Sequence, residues 1–133
     1  MRNLLLLCGF VVALGSMACR PAPAHEGPPV PSPRVASLTP SLTALVKGLG
    51  QEAHLVGRTT YCVDVDAVPI IGDMRPDPER LLAHKPDLVV AGNYPFLADG
   101  LADLRARGLN VLALPLVTLQ DMRATTTVLG ERL

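Results

Sequence analysis

The chain has 133 residues, 12 basic and 12 acidic side chains, three Cys and no Trp. That length suits a single domain, and the neutral balance excludes an ordinary nucleic-acid binder, which carries a basic excess. Three Cys with no CxxC pair make neither a disulfide framework nor a zinc site, and a hydrophobic fraction of 49% suffices for a packed core.

The chain opens with Arg2, an apolar run over residues 4–14 (LLLLCGFVVAL) and small residues at Gly15, Ser16 and Ala18. This is the layout of a secretory signal peptide over residues 1–18, and the run is shorter than the ~18 residues a membrane span needs. Ser16-Met17-Ala18-Cys19 resembles a bacterial lipoprotein box with Cys19 as the lipidated residue, although Ser16 stands where Leu is usual. Cleavage after Ala18 or after Ala24 also satisfies the small-residue pattern. Six of the 13 prolines fall within residues 21–33. Such chain favours extended conformers and builds no core, so residues 19–33 read as a tether to a domain spanning residues 34–133.

Within that domain, residues 34–38 form a first strand. Thr39-Pro40 starts a helix, with Thr39 as cap and Pro40 at the first helical position. Leu42, Leu45, Val46 and Leu49 recur at helical spacing, and Gly50 ends the helix. Residues 54–57 form a second strand. Residues 60–76 show no period. Asp77 caps a helix that Pro86 closes, and residues 87–92 (DLVVAG) read as a strand covered on both faces. Phe96, Leu97, Leu101 and Leu104 make a third helical stripe ended by Gly108, and residues 109–114 form a fourth strand. Thr118 and Asp121 resemble a capping box that opens the last helix. This alternation predicts an α/β fold, a three-layer α/β/α domain with a four-stranded parallel sheet.

Ligands of open parallel sheets bind beyond the carboxyl ends of the strands. Here those segments hold Thr39 to Ser41, then Arg58 to Arg75, Gly92 to Phe96, and Pro115 to Thr118. They also hold every aromatic residue beyond the signal peptide: Tyr61, Tyr94 and Phe96. Aromatics normally fill cores. Tyr61, in a loop without period, reads as a stacking surface for a flat organic ligand, and Phe96 as a helix start packed on the sheet rim. The amides of Thr39 to Ser41 offer an anion-binding helix end. No nucleophile elbow, phosphate loop, dinucleotide fingerprint or metalloprotease motif is present. The enzymatic alternative is a small secreted enzyme using Cys62, with His54 as base, or the loop acids.

Four stretches carry a family resemblance: residues 34–43 (RVASLTPSLT), 56–62 (VGRTTYC), 69–72 (PIIG) and 77–90 (DPERLLAHKPDLVV). In order and spacing they resemble the N-terminal lobe of the periplasmic substrate-binding proteins of ABC importers for vitamin B12 and iron chelates. The resemblance implies one lobe of a bilobal, non-enzymatic binding protein in the periplasm or cell envelope. It implies no resident cofactor. The ligand would be a metal chelate (cobalamin, ferric siderophore or haem), the partner an inner-membrane ABC permease, and membrane contact would run only through a lipid on Cys19. It further implies that Tyr61 lines the ligand cleft and that Glu79 docks onto the permease; with the segments that follow the strands, the expected ligand-binding residues are Thr39, Ser41, Tyr61, Asp73 and Tyr94. The B12 binders carry tryptophans where Asp73 and Gly92 stand here, which weakens cobalamin as the particular ligand, and Ala44 stands where many members carry Glu. Family members have a second lobe beyond a long linking helix, so this chain reads as a fragment of a longer protein or, alternatively, as a degenerate half-receptor without a high-affinity ligand.

Overall fold

A computed structural model describes residues 32–133, Met74 apart. The expected signal peptide, Cys19 and all of the tether but its last two residues lie outside the described residues. The elements run β1 (Val35–Ser37), α1 (Pro40–Gly48), β2 (Leu55–Thr59), β3 (Ile70–Gly72), α2 (Pro78–His84), β4 (Leu88–Gly92), α3 (Ala98–Ala106), β5 (Val111–Leu114) and α4 (Leu119–Arg132). The strands form one sheet in the order β3-β2-β1-β4-β5, every pair parallel.

The expected four strands are thus five. The added one, β3, is only three residues long, too short to show an alternation in sequence. Its Ile71 is fully buried while Ile70 is partly exposed on the sheet edge. Gly57 of β2 is what lets it dock, because a Cβ there would sit 2.7 Å from the Ile71 side chain. A ten-residue loop without a helix joins β2 to β3. Parallel strands usually need a crossover helix to cover the sheet between them. Here Cys62, Val65 and Val68, buried on the underside of the loop, provide that cover.

Alternate strand residues feed two cores. Val35, Leu88 and Val90 pack with Leu42 and Val46 of α1 and Leu129 of α4. Ala36, Val89 and Ala91 pack with Leu81 of α2 and Leu101 and Leu104 of α3. Two-sided burial is why the run from Leu88 to Ala91 never alternates with polar residues. The layers are therefore α1 and α4, the sheet, then α2 and α3.

Helix ends follow local chemistry. Asp77 caps α2 by accepting the Arg80 amide at 3.2 Å. At the other end of α2, Arg34 donates to the carbonyls of Lys85 and His84 at 3.1 and 2.9 Å. Gly50 and Gly108 take left-handed backbone (φ 74° and 86°) just past α1 and α3. The third helix starts later than its stripe suggested. Pro95–Leu97 form a 3-10 turn, and Phe96 is exposed rather than packed with Leu101 and Leu104.

The capping box of α4 is present: Asp121 accepts the Thr118 amide at 2.8 Å, and the Thr118 hydroxyl accepts the Asp121 amide at 3.0 Å. Hydrogen bonds from the Thr118 backbone and hydroxyl, with a further one from the Val117 amide, hold the Asp121 carboxyl below its ordinary range. A depressed folded-state pKa gives stability that is complete above the ordinary carboxylate value of ~4 and is lost as pH falls through the folded value. Asp121→Asn should therefore lose less Tm than the wild type on acidification from about pH 6 to about pH 2. Equal losses in thermal melts would show that the cap does not hold in solution.

Candidate functional site

The strand order reverses direction between β1 and β4, whose following helices, α1 and α3, lie on opposite faces of the sheet. Two chains leaving in opposite directions open a crevice at the carboxyl edge, the place where open α/β sheets bind ligands. A cleft of about 270 Å³ occupies it, lined by Leu38, Thr39, Pro40 and Thr59, by Tyr61 and Asp73, and by Tyr94, Phe96 and Leu97.

Thr39 forms the floor. It holds the N-cap position of α1, but its side chain caps nothing in that helix. Instead its buried hydroxyl accepts the Gly92 amide at 2.8 Å, tying the end of β1 to the end of β4. Behind it, the Thr43 hydroxyl lies 2.8 Å from Ser37 Oγ and 3.0 Å from Cys62 Sγ, and Thr59 Oγ1 lies 3.3 Å from the same sulfur. These buried polar atoms satisfy one another, as burial requires.

One wall is aromatic. The rings of Tyr94 and Phe96 stack with centroids 5.5 Å apart and planes 6° from parallel. Gly92 makes room for them, since a Cβ at that position would sit 2.3 Å from the Tyr94 ring. The opposite wall carries Tyr61, half exposed, with Asp73 beside it. Thr60 Oγ1 donates to Asp73 Oδ1 at 3.2 Å. A hydrogen bond from the Tyr61 phenol to Asp73, reinforced by the carboxylate's charge, raises the phenol pKa above its ordinary value. Tyr61 is thereby kept a neutral donor.

The structure brings four of the expected ligand residues, Thr39, Tyr61, Asp73 and Tyr94, into this one cleft. Ser41 is exposed in the first turn of α1 and is not among the lining residues. Glu79 stands apart in the first turn of α2, its side chain 83% exposed, with Arg107 Nη1 at 3.4 Å. Because α2 follows β3, its N-terminus lies at the same edge of the sheet as the cleft. Phe96 also lines the cleft, although its place in the sequence predicts packing on the sheet rim. Its position just beyond β4, after Pro95, was the available signal. Cys62 is a free thiol, buried at 1% exposure, with threonine hydroxyls rather than a histidine as its hydrogen-bond partners. A second, shallower hollow of about 520 Å³ is lined by α1 and α4, Leu45 and Met122 among its residues, and holds no aromatic or acidic side chain.

Residues 35–133 match the family of periplasmic binding proteins, and the chain belongs to that family. It is similar to the uncharacterized ABC transporter substrate-binding lipoprotein YvrC of Bacillus subtilis, 36% identical over 84 residues, 59% of this chain and 27% of that protein. Among solved structures it is similar to a periplasmic haem-binding protein from Pseudomonas aeruginosa, with 27% identity and a TM-score of 0.66 over 74% of this chain and 37% of the other. The periplasmic vitamin B12-binding protein BtuF of Vibrio cholerae shares the fold, with a TM-score of 0.68 at 24% identity, over 78% of this chain and 42% of that one. The chain thus spans about a quarter of the curated relative and about two fifths of these solved chains.

The Tyr61–Asp73 pair is open to a direct titration. In a Tyr94→Phe background, which leaves Tyr61 as the one tyrosine, Asp73→Asn should let the phenol ionise at lower pH, nearer its ordinary ~10. An unchanged ultraviolet titration curve would show that Asp73 does not hold the phenol.

Proposed function

We propose that this chain provides one wall of the ligand cleft in the substrate-binding component of an ABC importer for a metal chelate, and hands that ligand to an inner-membrane permease. The observation that carries the reading is the meeting of Tyr61, Tyr94 and Phe96, every aromatic side chain among the described residues, in one cleft at the switch point. Parallel stacked rings offer a flat apolar surface, and Thr39, Tyr61 and Asp73 add a few polar contacts, the composition of a small-molecule site. A volume of about 270 Å³ falls at the small end of the ~300–1,000 Å³ of ligand pockets. It accommodates one face of a macrocycle or chelate rather than enclosing it.

On this reading the protein binds and does no chemistry. Cobalamin, a ferric siderophore and haem are the ligand classes, and the haem-binding relative supports the last of these. Thr39, Tyr61, Asp73 and Tyr94, with Ser41 at the adjoining helix start, are the binding residues, and Phe96 joins them. Export to the periplasm or cell envelope, with a lipid on Cys19, accords with the lipoprotein relative. Glu79 is the docking group for a basic residue of the permease. Its exposed ion pair with Arg107 contributes little stability, so it is free to exchange partners.

Titration of the purified protein with haemin, cyanocobalamin and a ferric hydroxamate siderophore tests the reading. At least one should bind, and Phe96→Ala should weaken it by about tenfold, the scale of one aromatic contact. No binding by any of the three sinks the proposal. Glu79→Ala should keep ligand binding and lose transport in cells; undiminished uptake would remove Glu79 from docking.

A further inference from the structure

Arg58 of β2 is an unusual core residue. It is 9% exposed, yet it carries a permanent charge. Its Nε donates to the Val68 carbonyl at 3.0 Å, and its Nη1 to the Cys62 carbonyl at 3.0 Å and the Thr59 carbonyl at 3.4 Å. Nη2 lies 3.6 Å from Asp66 Oδ1, a carboxylate whose side chain is 95% exposed. Every one of these partners belongs to the end of β2 or to the loop that leads to β3. The guanidinium therefore serves one segment, residues 59–68.

That segment carries Tyr61. Tyr61 is 51% exposed, and beyond the hydrogen bond from its phenol to Asp73 little packing holds it. Its position depends on the backbone beneath it, and the carbonyls of Thr59 and Cys62, on either side of Tyr61 in the chain, are both Arg58 acceptors. No helix stiffens this crossover. Its backbone bonds are two local turns, the Cys62 amide to Thr59 and the Val68 amide to Val65, with one bond to the strands at each end, the Thr60 amide to Gly72 and the Arg58 amide to Pro69, and its middle is held by Lys47 Nζ donating to the Asp64 carbonyl. A buried charge is costly unless well paired, so an apolar residue would serve the core better.

We propose that Arg58 is a positioning residue for the ligand cleft: its guanidinium fork clamps the β2–β3 loop from below and fixes where Tyr61 stands. The inference rests on the binding role proposed for the cleft. A lysine keeps the charge but is a point donor on a flexible stem and cannot span three carbonyls in a fixed plane.

The chain has two tyrosines, so 3-fluorotyrosine gives this chain two fluorine resonances, assigned with Tyr94→Phe. In Arg58→Lys and Arg58→Gln the Tyr61 resonance should shift and broaden while that of Tyr94 stays, with a cooperative thermal melt retained. Haemin should dissociate about tenfold faster, the worth of one charge-assisted hydrogen bond. In a Tyr61→Ala background, Arg58→Lys should add nothing to that rate, an outcome that a merely structural role would not produce. An unchanged Tyr61 resonance, or additive effects on dissociation, overturns the proposal. Loss of folding in both variants also overturns it, by making Arg58 a folding residue. A Tyr61 resonance that moves in a protein holding no haemin, cyanocobalamin or siderophore would support the positioning role and refute the binding role.

Discussion

A hydrogen bond from the Gly92 amide to the Thr39 hydroxyl, one step beyond the Leu38 amide to Val90 carbonyl bond, joins the ends of β1 and β4 where the strand order reverses. Beyond this point the chain goes to α1 on one face and to α3 on the other. The divergence opens the crevice, and the bond keeps its floor closed. Gly92 serves twice: its amide makes the bond, and its missing side chain admits the Tyr94 ring. The bond also begins a buried polar chain. From Thr39, through its carbonyl to Ser37 Oγ at 3.2 Å, it passes to Thr43, Cys62 and Thr59. Both walls of the cleft are therefore anchored on one satisfied network, and leaving any member unpartnered in so low a dielectric is costly.

The molecule separates its side chains by task. Aliphatic side chains fill both cores, while the aromatics stand at the carboxyl edge, where half-buried Tyr94 packs against the rim of the second core. Aromatic rings usually supply core volume and interface area alike. Confining them to one rim leaves the sheet to be covered by small branched residues, which suits strands buried on both faces. It also leaves Phe96 62% exposed, which core packing does not explain. The β2–β3 loop extends the same economy. Cys62, Val65 and Val68 seal the sheet from its lower side, and Tyr61 faces the cleft from the upper one.

Much of this was legible along the chain because its causes are local. Asp77 at the start of α2, the Thr118–Asp121 box of α4 and the left-handed Gly50 and Gly108 act on neighbours within a few residues, and each is found where its residue type places it. The unbroken run from Leu88 to Ala91 announced two-sided burial. β3 was not legible. Three residues carry no period, and what makes Ile70–Gly72 a strand is a partner, β2, with a glycine at position 57 to receive Ile71. The neighbours of Thr39 suggest a helix cap. Its hydroxyl goes instead to a residue 53 positions away, a choice that no local pattern contains.

By itself the sequence determined the alternating α/β class, the parallel sheet, most helix ends, and the gathering of aromatics in segments that follow strands. Those features depend on periodicity, capping and backbone freedom, which act within a turn or two of chain. Only the tertiary structure decided that Tyr61, Tyr94 and Phe96 share one cleft, that Phe96 leaves its helical stripe to stack on Tyr94, and that Arg58 is buried beneath the Tyr61 loop. These depend on strand order and on hydrogen bonds between distant segments, which exist only once the sheet has assembled.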